Sequence, residues 1–437
     1  MVGAGWAGCA AATELAAAGH HVSLVEAART LGGRARAVDV NGHILDNGQH
    51  ILLGAYTEAL RLLHITGADP ERALLRLPLQ MRYPAASGGM DFHAPRLPAP
   101  WHLLLATVRA RGLNTGDKMA LLRFSSAARW MNWQLDTDCS VETLLQRFDQ
   151  TERLVRLMWR PLCIAALNTP AAHASARVFL AVLRDSLGAR RNASDMLLPR
   201  TNLSALFPQH AAAFVSRHGG EIVTSTAVRQ VTAQRDQWLL ATAAANKPLP
   251  PFDGIVLATP AAQVNALLRD VTTEALVPAL AYEAITTCYL QYDAALRLDT
   301  PFYALIDTPS KQEWGQFVFD RGQLDASQSG MLAVVIGTST AALQGGNDTL
   351  ASAIALQLAK VFGRPELARP LWTRVIAEKR ATFACTPALE RPSEKTAYAG
   401  LALAGDYLAS DYPATLESAV RSGVRAARLI DDYLRGV

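Results

Sequence analysis

The sequence predicts an α/β protein: a Rossmann-like dinucleotide-binding domain of discontinuous segments, joined to an α+β domain that would hold the substrate. Three observations carry that reading. A glycine-rich turn opens the chain, an acidic residue closes a strand soon afterwards, and strand-like runs return near residues 220 and 400.

At 437 residues the chain is long for one hydrophobic core, which favours two domains. With 50% apolar and 18% charged residues it has the composition of a globular protein. A net charge of +4 without a long run of one sign makes no case for nucleic acid as a partner. Cys9, Cys139, Cys163, Cys288 and Cys385 are scattered and contain no Cys-x-x-Cys pair. Neither a metal site nor a disulfide framework is therefore indicated, and a reducing cytoplasm fits best. No secretion signal and no uncharged apolar run of about 20 residues is read in the sequence.

Taken in order, residues 9 to 18 read as an alanine-rich helix, "HHVSLVEA" as a short buried strand and "GHILDNGQHILLG" as strand, turn and strand. Residues 101 to 135 and 140 to 160 read as mostly helical. Strand-like runs follow at "GGEIVTSTAVRQV", "WLLATAAA", "DGIVLATP", "CYLQYD", "GQFVFD", "MLAVVIG" and "LALAGD", and the last twenty-odd residues read as one helix. The expected division is 1–80, 200–265 and 390–437 for the cofactor domain, with 81–199 and 266–389 for the substrate domain. Loops holding "LPAP" and "NKPLPPFD" are read as connections.

Gly3, Gly5 and Gly8 form G-x-G-x-x-G ahead of the first helix. The first two permit a tight turn and close approach to a pyrophosphate, the third lets helix and strand pack, and the helix N-terminus favours an anion. Glu26 ends a strand 18 residues after Gly8, where a carboxylate meets ribose hydroxyls. In "LGGRAR", Gly32 and Gly33 bring amides close to an anion while Arg34 and Arg36 offer forked donors; a solvated basic loop is the equal alternative. Late in the chain Gly405 and Asp406 close a strand, and Pro413 and Ala414 are expected to open a helix. Asp406 suits polyol hydroxyls, or simply a turn.

Together these residues resemble the FAD-dependent amine oxidase and phytoene desaturase superfamily. The resemblance implies FAD, with Gly3, Gly5, Gly8 and Glu26 on the ADP half, Gly33 and Arg34 on the diphosphate, Gly405 and Asp406 on the ribityl chain, and Val228 and Ala414 also in contact. "LDNGQHILLGAY", "RPLCIAALNTP", "DMLLPRTNLSALFP", "QFVFDRG" and "YPATLESAVRSG" are similar to the hydroxysqualene dehydroxylase branch of bacterial squalene and hopanoid synthesis. That branch implies reductive removal of a hydroxyl to give squalene, with reduced flavin as the source of the electron pair. A carotenoid-type desaturase, another amine-oxidase-fold oxidase and a flavin-containing prenyl-lipid carrier are the alternatives.

The same resemblance places Gln49 and His50 near the flavin, and His50 is the candidate acid because its ordinary pKa lies near neutrality. A structural histidine is the competing reading, and Asp46 is read as structural. Arg160 and Arg200 read as tunnel residues or ion pairs, and Trp159, Leu162, Ile164 and Leu167 as a polyene channel or a helix core. Residues 101–131 carry Trp101, Leu104, Leu105, Val108 and Trp130 among Arg109, Arg111, Lys118 and Arg129. They read either as packed helices or as a peripheral contact with the inner face of the membrane, suited to an apolar triterpene substrate. Only Met1 and Val2 precede the glycine turn where the resemblance implies a full strand. A start placed too late or a shortened chain is expected, with weak FAD retention if the protein does start there.

Overall fold

A computed structural model of the protein describes residues 1–243 and 249–436. The end of "WLLATAAA" and the beginning of "NKPLPPFD" lie outside the described residues.

The organising element is a parallel sheet drawn from distant parts of the chain. Ser23–Val25 pairs with Glu221–Val223, and Ile255–Leu257 pairs with Leu401–Leu403. Val2 bridges the two pairs, lying parallel to both Val25 and Leu257. Its N–H donates to the Val256 carbonyl at 3.0 Å and its carbonyl accepts from the Ala258 N–H at 2.8 Å. The short stretch before the glycine turn thus occupies the centre of the sheet. Leu24, Val25, Val256, Leu257, Leu401 and Leu403 are buried, as expected for strands covered on both faces.

Two helices cover one face. Trp6–Ala17 is almost wholly buried and rich in alanine, which lets it lie close to Leu416–Arg435. At their crossing a Cβ on Gly423 would stand 2.2 Å from the Ala7 carbonyl oxygen, so only glycine fits. The C-terminal helix starts at Leu416 rather than at Pro413. Thr415 stays extended (φ −129°, ψ 165°), and its hydroxyl accepts the Ser418 N–H at 3.1 Å as an N-cap.

A second, antiparallel sheet has five strands in the order Phe302–Ala304, Phe317–Asp320, Met331–Gly337, Tyr282–Gln291 and Trp372–Phe383. Alternation separates its faces. Cys288, Leu290 and Val334 pack on the helix Asn347–Phe362 through Ile354 and Leu358. Tyr289, Phe319 and Ala333 face the other way, onto Leu45 and Leu198.

"GHILDNGQHILLG" supplies two strands that do not pair with each other. His43–Asp46 pairs with Ala37–Val40, and Leu52–Leu53 pairs with Met196–Pro199. Between them Asn47–His50 crosses from one sheet to the other, tied to the second sheet by side chains described below. Residues 101–130 and 141–188 fold as helices, two of them with π turns. Trp159 and Leu167 lie in that helical core. The Trp159 indole donates to Gln150 Oε1 at 2.9 Å and its ring packs on Phe124 and Phe179. Asn168, in the left-handed region (φ 45°), pins this helix to the second sheet through Thr382 Oγ1 (2.9 Å) and the Thr338 N–H (2.8 Å).

Gly423→Ala should force the two helices apart, costing about 1–3 kcal/mol. A lowered midpoint of thermal unfolding is the expected result, and an unchanged midpoint would contradict the crossing geometry.

Candidate functional site

Because the first sheet is parallel, the carboxyl ends of its strands open on one edge, and such an edge is where an open α/β sheet receives a ligand. Gly3, Glu26, Ala258–Thr259 and Gly405–Asp406 all leave strands at that edge. Gly3 has φ +99°, and a Cβ there would lie 2.6 Å from the Ala258 carbonyl oxygen. One on Gly8 would lie 1.9 Å from the Gly3 oxygen, so the turn closes only with a bare α-carbon. Gly5 caps the first helix without a side chain, leaving its leading amides for an anion. Gly32 pairs with Gly5, and a Cβ on Gly33 would come within 3.1 Å of the Gly5 Cα. The "GGR" turn is therefore stacked on the glycine loop.

Glu26 stands beside this cradle. Its Oε2 accepts the Ala4 N–H at 2.7 Å and its Oε1 the Ala28 N–H at 2.8 Å, which fixes the carboxylate at the strand end. Arg34 reaches across the crevice. One terminal nitrogen donates to Asp406 Oδ1 at 2.6 Å and the other to the Ala381 carbonyl at 2.5 Å. The guanidinium thus bridges the two candidate motifs and the second sheet, instead of standing free as a phosphate fork. Arg36 donates to the Gly33 carbonyl at 3.0 Å. Gly405 is held by a 2.8 Å bond from its N–H to Ser422 Oγ, Ala414 lies just before the helix cap, and half-buried Val228 begins the strand paired with Gln237–Thr242.

Three buried hydroxyls in this region have no hydrogen-bond partner among the described residues: Thr259 Oγ1 beyond Ala258, Tyr407 Oη in the residue after Asp406, and Thr287 Oγ1 near Gly48. Buried hydroxyls without partners are uncommon. A side-chain-free cradle, a fixed carboxylate and orphaned hydroxyls together fit a large polar dinucleotide.

Asn47 donates to the Arg34 carbonyl (3.0 Å) and to Glu378 Oε2 (3.4 Å). Gln49 is read from both ends: Arg321 Nη1 donates to its Oε1 and its Nε2 donates to Tyr289 Oη, each at 2.8 Å. Tyr289 in turn donates to the Asp46 carbonyl at 2.8 Å. His50 Nδ1 lies 3.0 Å from the Gly48 carbonyl. Burial, with the Arg34 charge adding to it, holds the imidazole below its ordinary pKa, while the Gly48 carbonyl acts in the opposite sense. Asp46 is pushed up to about 6 by burial, even though its Oδ1 accepts the Leu203 N–H at 2.8 Å. Arg160 pairs with Asp307 at 3.1 Å, whereas Arg200 lies on the surface and its N–H donates to the Ala73 carbonyl.

Sequence reasoning singles out neither Tyr289, Thr287 and Tyr407 nor the part played by Arg321. A signal existed for Arg321, a charged residue closing the apolar run "QFVFD" that is 2% exposed in the fold. The partnership of Tyr289 with Gln49 spans 240 residues and leaves no local pattern.

A family model described as flavin containing amine oxidoreductase matches residues 6–431. The chain is 30% identical over 444 residues to hydroxysqualene dehydroxylase of Rhodopseudomonas palustris, covering 98% of this chain and 97% of that one. It is 28% identical over 438 residues to hydroxysqualene dehydroxylase of Zymomonas mobilis subsp. mobilis, with 98% of both covered. Cyclohexylamine oxidase from Brevibacterium oxydans IH-35A shares the fold, with a TM-score of 0.67 at 16% identity and coverage of 99% and 98%.

Replacing Glu26 by Ala removes an amide-fixed carboxylate and should weaken flavin retention roughly ten- to a hundredfold, as for lost charged hydrogen bonds. Flavin absorbance per chain after gel filtration reads it; full retention would remove Glu26 from the site.

Proposed function

The chain belongs to the flavin containing amine oxidoreductase family, and from that premise we propose that it reductively dehydroxylates hydroxysqualene to squalene. It is an FAD-dependent oxidoreductase. The observation that carries the specific reading is the likeness to hydroxysqualene dehydroxylases along nearly the whole chain.

The reaction breaks a C–O bond, forms a C–H bond and releases water. FAD, bound in its reduced form, supplies the electron pair. The chain's own residues have three tasks. Gly3, Gly5, Gly8, Glu26, Gly33, Gly405, Asp406 and Ala414 would hold the cofactor along the crevice edge, with Val228 in contact and Arg34 fixing Asp406 in place. The second sheet, carrying Tyr289 and Thr287 toward Asn47–His50, closes the seam against water, which matters because a cationic carbon would otherwise be trapped by it. His50 protonates the departing hydroxyl, for which the alcohol is otherwise a poor leaving group. Gln49, fixed by Arg321 and Tyr289, holds the segment that presents His50. The substrate is an apolar triterpene taken up at a bilayer surface through residues 101–131.

The lowered pKa of His50 sets the sign of the pH response. The imidazolium is the acid, and its fraction falls as pH rises through a value below 6.5. Turnover should therefore climb as pH drops below 6.5, level off beneath the depressed pKa, and decline about tenfold per unit on the alkaline side. His50→Ala, with flavin content unchanged, should slow turnover by roughly two to four decades. Turnover equal to that of the parent would sink the assignment of the acid.

The reaction itself is tested by reducing the bound flavin without oxygen and adding hydroxysqualene. Flavin reoxidation matched by squalene is expected. A product that has lost two hydrogens instead of oxygen would point to desaturation.

A further inference from the structure

Outside the crevice, a cavity of about 430 Å³ opens between the strand Asp91–His93 and the helix Trp101–Arg109, lined by Asp91, His93, Pro95, Ala106, Arg109 and Arg111. We propose that it binds the phosphodiester of an anionic phospholipid while the outer face of the helix lies in the bilayer.

The charge balance of the cavity calls for an anion. Asp91 is already matched by Arg82, whose Nε lies 2.9 Å from its Oδ1. The side chains of His93, Arg109 and Arg111 have no hydrogen bond or ion pair among the described residues. The backbone fixes where the two arginines start. Arg111 is locked to Asp91 by two backbone bonds, 3.1 and 3.2 Å, and Arg109 sits in the last turn of the helix. Lys118 adds a third cation close by, its ammonium donating to the Val108 carbonyl at 2.7 Å. Unpartnered forked guanidinium donors lining a concavity suit phosphate oxygens.

The helix itself says where that phosphate comes from. His102, Ala106 and Thr107 face the protein and are buried. Trp101, Leu104, Leu105 and Val108 fall at i, i+3, i+4 and i+7, on the opposite side. Trp101 is 60%, Leu104 38% and Val108 56% exposed. An apolar stripe of helical period pointing away from the core serves no internal packing. With cations at its border it has the build of a helix lying in the membrane interface. A soluble phosphate would engage the cations but leave the stripe uncovered. Among the described residues no helix is long and apolar enough to cross a membrane, so the contact is one of lying on the surface.

The site rests on the proposed function only for its purpose, which is to place the enzyme where an insoluble triterpene resides. FAD-loaded protein is sedimented with vesicles of phosphatidylcholine, with or without phosphatidylglycerol, and with inorganic diphosphate as a soluble competitor. Binding to the anionic vesicles is expected. R109Q/R111Q should lose roughly 25-fold in partition on them, at about fivefold per cation. W101S/L104S should lose binding to both vesicle types. Equal partition by R109Q/R111Q and the parent, or a parent that ignores anionic vesicles, would overturn the site. So would a parent whose diphosphate-saturated form still partitions undiminished, or a self-associated parent that W101S/L104S dissolves without any vesicle binding having been present. Turnover of detergent-dispersed hydroxysqualene by the parent protein is read in parallel. Intact vesicle binding without turnover would remove the substrate assignment alone.

Discussion

The whole arrangement depends on how closely the backbone must fold upon itself between Val2 and the first helix. The Gly3 oxygen lies where a side chain on Gly8 would begin, and the Ala258 oxygen where one on Gly3 would begin. This compression brings the first helix down onto the centre of the parallel sheet and points its amide end at the edge where the strands stop. Everything else at that edge is placed relative to it: the "GGR" turn stacks on Gly5, and Glu26 is held by the amide of Ala4, within the turn itself.

A second constraint joins this cradle to the rest of the molecule. Arg34 touches a carboxylate at one end of the parallel sheet and a carbonyl of the antiparallel sheet, and Asn47 and Gln49 repeat that connection a few residues later. The segment that holds His50 is therefore fixed by partners on both sides. Such polar ties across a buried seam are directional, so they specify one docking of the two sheets where apolar contacts alone would tolerate several.

Local signals carried much of the architecture. The glycine turn, the acid at the end of the Ser23–Val25 strand, "GGR" and the late glycine-aspartate pair are each decided by a few neighbouring residues, and each is found at the same crevice edge. Apolar runs such as "MLAVVIG" also announced their strands. What failed had a non-local cause. The strand, turn and strand around Asn47-Gly48 are found as expected, but which strands they pair with, Ala37–Val40 and Met196–Pro199, has no local signal. Pro413 resembles a first helical residue, but the cap hydroxyl comes two residues later. The long strand Trp372–Phe383 was not legible because charged residues interrupt it; its half-exposed pattern makes sense only beside Tyr282–Gln291. Tyr407 and Thr287 are ordinary strand or loop residues until their hydroxyls are found buried and unmatched.

The ion pair between Arg34 and Asp406 joins positions 372 residues apart, and the strand that leads to Asp406 pairs with one that already flanks Val2. During synthesis, the glycine loop emerges long before the partners that complete its sheet. Ser23–Val25 must wait for residue 221, and Ile255–Leu257 for residue 401. Over most of translation the nascent chain therefore exposes unpaired parallel edges, and contacts of such sequence separation form slowly. The crevice is closed only once residues 401–406 have joined it, so its glycine loop spends most of synthesis without the carboxylate that will face it.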